Sequence, residues 1–120
     1  MKRSLVVKLT QGAEAPETAN QAFTVAATAL ATGVGVSLWL TGEAAWFAMP
    51  DGAEDLKLAH ATPVAQLRAT VIVGGSLTVC TQCAVRRGIT EEAVLEGVRI
   101  AGSASFVEEV LGDDVQALVY

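Results

Sequence analysis

Ser76-Leu77-Thr78-Val79-Cys80-Thr81-Gln82-Cys83-Ala84-Val85-Arg86-Arg87-Gly88 is the stretch on which the reading of this chain turns. The run Ser76 to Val79 reads as a strand. It stops at Cys80, where a short helical turn begins, and Gly88 ends the turn. Both cysteines of the protein lie here, three positions apart. A strand end that meets a helix start gathers free backbone N–H groups and the positive end of a helix dipole. Such a place stabilises a thiolate, and the thiolate is the nucleophilic form of cysteine.

Outward from this turn, strands and helices alternate. Ser4 to Leu9 (SLVVKL) reads as a strand, and Thr10-Gln11-Gly12 opens a loop. Pro16 and Glu17 suit a first helical turn. Ala19, Ala22, Phe23, Ala26, Ala27 and Leu30 then recur at helical spacing up to Gly33. Val34 to Leu40 (VGVSLWL) is a nearly continuous apolar run, as expected of a strand buried on both faces. Residues 43–50 (EAAWFAMP) read as a short apolar, helical loop, and Asp51-Gly52 as a turn.

Thr62-Pro63 reads as an N-cap with proline at the first helical position. Val64, Leu67, Val71 and Ile72 follow on one helix, which Gly74-Gly75 stops. After the cysteine turn, Thr90-Glu91-Glu92 predicts another short helix and residues 98–100 (VRI) a strand. Ser103 or Ser105 starts a helix to Leu111, with Glu108 in capping-box register to Ser105. Residues 115–120 (VQALVY) form the last strand. This alternation implies right-handed crossovers and a mostly parallel sheet in an α/β fold covered on both faces. The whole of residues 1–120 is read as one domain.

Ligands of such sheets bind at the carboxyl ends of the strands. Three loops therefore share one rim: Thr10-Gln11-Gly12, Thr41 to Pro50, and Cys80 to Gln82. Trp46 and Phe47 are expected to form an apolar wall over the cysteines. Arg86 and Arg87 follow Cys83 within one helical turn and are expected to stabilise a thiolate or an anionic persulfide; a solvated face is the competing role for them.

Composition narrows the choice. Lys plus Arg number 8 against 13 Asp plus Glu, a net charge of -5, which argues against nucleic acid. Hydrophobic residues make up 52% and charged residues 18%, and no charge occurs from Thr18 to Gly42. So apolar a surface favours association with further copies. The uncharged stretch is not read as a membrane span, because Asn20, Gln21, Thr24, Thr28 and Thr32 punctuate it and Gly33 and Gly35 break it. Lys2 and Arg3 resemble the start of a signal peptide, but Lys8 interrupts the apolar run. A cytoplasmic location is expected, where paired cysteines are more often reactive or metal-binding than structural.

Other chemistries fit less well. A thioredoxin-type dithiol would follow an early strand and meet a later cis-proline, whereas Pro16, Pro50 and Pro63 all precede Cys80. Structural zinc needs four ligands, and one chain offers Cys80, Cys83 and a lone His60, which reads as a surface histidine. Gly33-Val34-Gly35 lacks the third glycine of a dinucleotide loop and precedes its strand. A group-carrying cysteine remains, beside the plain alternative that both are small buried hydrophobes.

The pattern Val79-Cys80-x-x-Cys83-x-x-Arg86-Arg87-Gly88-Ile89 followed by Glu91-Glu92 resembles the DsrE/DsrF-like family of sulfur-relay and YchN-like proteins. The likeness runs along essentially the whole chain. It implies a three-layer α/β/α fold around a five-stranded, mostly parallel sheet, assembled as trimers or hexamers. It also implies a persulfide carrier: Cys80 accepts sulfur from a donor protein and passes it to an acceptor protein, with no cofactor. Cys83 departs from the relay subunits, which tend to carry a small apolar residue there. A thiol at that place could attack a persulfide on Cys80. The alternatives are a redox switch through a Cys80–Cys83 disulfide, or an oligomeric small-ligand binding module without sulfur transfer.

Overall fold

The computed structural model describes residues 3–53 and 55–120; Lys2 lies outside them. Five strands form one sheet: β1 (Ser4–Leu9), β2 (Gly35–Leu40), β3 (Ser76–Cys80), β4 (Val98–Ala101) and β5 (Val115–Val119). Their order is β4-β3-β2-β1-β5, and every neighbouring pair is parallel. Four α-helices connect them: α1 (Pro16–Ala31), α2 (Val64–Gly74), α3 (Thr81–Arg86) and α4 (Ser103–Val110). A 3-10 segment, Gly42–Ala48, follows β2.

The strand registers sort side chains onto two faces. Val7 pairs with Leu38, Leu38 with Leu77, and Leu40 with Val79. These residues share a face, since alternate side chains of a strand point the same way. All of them are buried in the main core under α1 and α2. The helices meet this face along stripes with a 3.6-residue period: Ala19, Ala22, Phe23 and Ala26 on α1, and Val64, Leu67, Arg68 and Val71 on α2. Phe47 closes the core from the 3-10 segment, edge to face with Phe23 at 5.4 Å between ring centroids.

Val6, Lys8, Ser37, Trp39, Thr78 and Arg99 belong to the opposite face. Among the described residues α4 covers this face, completing the three layers. Phe106 of α4 packs edge to face on Trp39 at 5.3 Å. This layer is thinner than the predicted cover on both faces. No α4 residue is fully buried, and Val107, Leu111 and Val119 stay exposed.

Three local expectations are corrected. Thr90 to Val94 is a turn and not a helix, because the next residue, Leu95, donates its N–H to Ala48 O at 2.8 Å and draws the chain toward β4. The α2 helix begins at Val64, with Pro63 as its extended cap residue, while the Thr62 carbonyl accepts a bond from the Asn20 amide at 2.9 Å. The α4 helix begins at Ser103 behind Gly102, so Ser105 lies inside it and the Ser105–Glu108 capping box does not form. Among the described residues no helix is long and apolar enough to cross a membrane.

Candidate functional site

Cys80 is the last residue of β3 and the cap residue of α3, with extended backbone at φ -63° and ψ 129°. It shares the α4 face with Thr78, two residues below it. Burial of the Cys80 thiol pushes its pKa up. The Cys83 amide, the Cys83 thiol, the Gln82 amide and the positive charge of Lys8 push it down, and the balance falls below the ordinary thiol value. The thiolate is thus favoured by the end of the strand, by the first turn of the helix and by a cation from β1. Cys80 keeps 8% of its surface exposed, so it is enclosed but not sealed.

Cys83, one helical turn on, is 9% exposed. Its sulfur accepts the Gly42 N–H at 3.2 Å. Gly42 can present that amide because it is a glycine. Its φ is +54°, and a Cβ there would stand 2.7 Å from Thr10 O. Gly12 packs equally closely, its absent Cβ lying 2.6 Å from Glu43 O. The loops after β1, β2 and β3 therefore touch one another at a single rim, as the strand topology predicts.

The remaining predicted residues are distributed around this rim. Thr10 donates its hydroxyl to Tyr120 O at 2.8 Å, tying β1 to the last residue, and Gln11 is exposed. Arg87 pairs with Glu43 at 2.8 Å and donates to the Cys83 carbonyl at 3.1 Å, so it fastens α3 to the 3-10 segment. Arg86 is exposed on α3, and His60 is exposed in its loop. Phe47 is 2% exposed, part of the core against Phe23, and Trp46 is 41% exposed. The Phe47 ring packs inward on the α1 stripe, in the same buried cluster as Cys80 and Cys83. A cleft of about 540 Å³ opens beside α3, lined by Thr81, Ala84, Ile89, Glu91 and Ile100 among others; Cys80 and Cys83 are not among its lining residues. Among the described residues no three His, Cys, Asp or Glu side chains gather as a metal site would require.

Three further groups shape the site. The Lys8 ammonium sits 5.3 Å over the Phe106 ring, which fixes it beside the α4 face. The Glu109 carboxylate accepts bonds from Ser37 at 2.6 Å, Trp39 at 3.1 Å and Arg99 at 2.5 Å, and so anchors α4 to the sheet. Burial raises the Glu109 pKa, and the Ser37, Arg99 and Trp39 donors outweigh it, leaving it below the usual carboxylate value. Arg68, 6% exposed on α2, donates to the Phe47 and Met49 carbonyls at 2.8 Å and to Pro50 O at 3.3 Å. It thereby caps the carboxyl end of the 3-10 segment, and its burial lowers its pKa. A charged residue on the apolar stripe of α2 was a legible signal for this role. Lys8 announced itself only as a break in an apolar strand.

A parallel α/β/α sandwich with a partly enclosed cysteine at its strand-end rim is the class these features define. The DsrE/DsrF-like family pattern matches residues 3–115, and the chain belongs to that family. No curated protein sequence matches it. Among solved structures it is similar to the YchN protein of Escherichia coli, with 16% identity, a TM-score of 0.80, and coverage of 98% of this chain and 99% of that one. It is also similar to BT1422 of Bacteroides thetaiotaomicron, a conserved protein of unknown function, with 14% identity, a TM-score of 0.60, and coverage of 98% and 95%. At such identities these likenesses bear on the fold alone.

Proposed function

We propose that this protein carries sulfur as a persulfide on Cys80 within an intracellular sulfur relay, taking it from a persulfidated donor protein and handing it to an acceptor protein. Family membership points to sulfur relay in general. The observation that carries the specific reading is the Cys80 thiol, lowered in pKa by the Cys83 and Gln82 amides and by Lys8. A lowered pKa supplies thiolate for attack at neutral pH, and the same donors stabilise the anionic persulfide that results. Lys8 supplies the charge that Arg87, paired to Glu43, does not bring to Cys80 directly. Arg86 is left exposed on α3 to meet an acidic partner. The thin α4 layer, with Val107, Leu111 and Val119 exposed, suits assembly with further copies as a trimer or hexamer.

The test is intact mass after exposure of reduced protein to a persulfidated donor. Cys83→Ser gains one sulfur atom that a reductant removes, and Cys80→Ser gains none. A gain in Cys80→Ser equal to that in Cys83→Ser removes Cys80 from the role.

A further inference from the structure

A sulfur carrier needs one cysteine, and this rim holds two under different constraints. Cys83 lies one turn into α3 from its cap residue Cys80, and its side chain hydrogen-bonds the Cys80 sulfur. Its sulfur already accepts an N–H from Gly42, presented by a turn that only glycine fits without strain. That N–H holds the Cys83 sulfur where the loops after β2 and β3 meet. Its backbone is fixed as well, through Arg87 on its carbonyl and Glu43 on Arg87.

Burial separates the two sulfurs of a persulfide on Cys80. The inner sulfur belongs to a residue 8% exposed, in reach of Cys83 and shielded from bulky external thiols. The outer sulfur is the terminal atom, one bond farther from the Cys80 backbone. An external acceptor therefore meets the outer atom, while Cys83 meets the inner one.

We propose that Cys83 resolves the Cys80 persulfide, making the protein a persulfide reductase when no acceptor is docked; this rests on the carrier reading above. The Cys83 thiolate attacks the inner sulfur. The Cys80–Cys83 S–S bond forms, the bond between inner and outer sulfur breaks, and the outer sulfur leaves with the electron pair as hydrosulfide. The proton lost by Cys83 is balanced by the proton taken up by the leaving sulfide. The outer sulfur is reduced by two electrons, and the two cysteines are oxidised to a disulfide. A soluble dithiol reductant then restores both thiols.

The experiment loads reduced wild type, Cys83→Ser and Cys80→Ser with one equivalent of glutathione persulfide, removes the excess, and follows sulfide and intact mass together. The wild type is expected to release up to one sulfide per chain and to finish two hydrogens lighter. Cys83→Ser is expected to keep its added sulfur and to release at least tenfold less sulfide. Wild type that holds its sulfur as Cys83→Ser does overturns the resolving role while the carrier stands. Failure of Cys83→Ser to gain sulfur at all overturns the carrier, and the resolving role with it.

Discussion

Replacing Glu109 by alanine removes the acceptor that joins α4 to the sheet. Three donors lose their partner: the Ser37 hydroxyl, the Trp39 indole N–H and the Arg99 guanidinium. Trp39 is 1% exposed, so its N–H cannot turn to water, and an orphaned buried donor costs about 1–3 kcal/mol. Ser37 is only half-buried, and its lost bond adds about 0.5–1 kcal/mol. The Arg99 side chain is 48% exposed, so that ion pair adds about 0–1 kcal/mol. The sum is about 1.5–5 kcal/mol. At about 2.1 cal/mol/K per residue, 120 residues unfold with an entropy near 0.25 kcal/mol/K, so Tm falls by roughly 6–20 °C.

Acid sharpens the same prediction. The folded pKa of Glu109 lies below that of the unfolded chain. Its stabilisation is therefore complete above the unfolded value and is lost as pH falls through the folded value. Differential scanning calorimetry of wild type, Glu109→Ala and Glu109→Gln from neutral to acid pH reads both effects. The amide of Glu109→Gln keeps an oxygen for Trp39 but no titrating charge. It should lose less Tm than alanine and show a flatter acid limb. A Glu109→Ala Tm within about 3 °C of wild type would mean that the Trp39 N–H finds another partner, and the argument from α4 anchoring would fail.

Two more outcomes follow from the site. Lys8→Met should move the midpoint of Cys80 alkylation to higher pH, and Lys8→Arg should bring it back toward wild type; equal midpoints in all three would show that Lys8 does not act on the thiolate. Phe47→Ala should cost about 3–5 kcal/mol in denaturant unfolding, as a core aromatic does, whereas faster cysteine alkylation with unchanged stability would make the ring a cover over the cysteines and no part of the core.

The parts of the fold governed by repeated apolar spacing were legible. The α1 stripe of Ala19, Ala22, Phe23 and Ala26 and the runs at β1, β2 and β3 needed no partner to be seen. Short segments governed by contacts distant in sequence were not. Thr90-Glu91-Glu92 has the look of a helix start, but the bond from Leu95 to Ala48 decides its path. Ser105 and Glu108 have capping-box spacing, but the helix starts at Ser103, behind Gly102.

At the site, Cys80 and Cys83 could be placed from the strand-to-helix transition alone. Their supporting charge could not. Arg86 and Arg87 are near in sequence, yet the cation acting on Cys80 comes from Lys8, far back in the chain and two strands from Thr78, across Trp39. Arg87 is instead occupied by Glu43. Phe47 lay in the expected loop, but its ring went to the core, since burial on Phe23 outweighs exposure at a rim.

The central claim is that Cys80 receives the sulfur. Wild-type protein should be exposed to a donor carrying isotopically heavy sulfur, quenched at once with an alkylating reagent, digested and mapped by fragment ions across the segment from Ser76 to Gly88. Heavy sulfur is expected on Cys80 at the earliest time, declining as the Cys80–Cys83 disulfide accumulates. Heavy sulfur first on Cys83, or on neither cysteine, would contradict it.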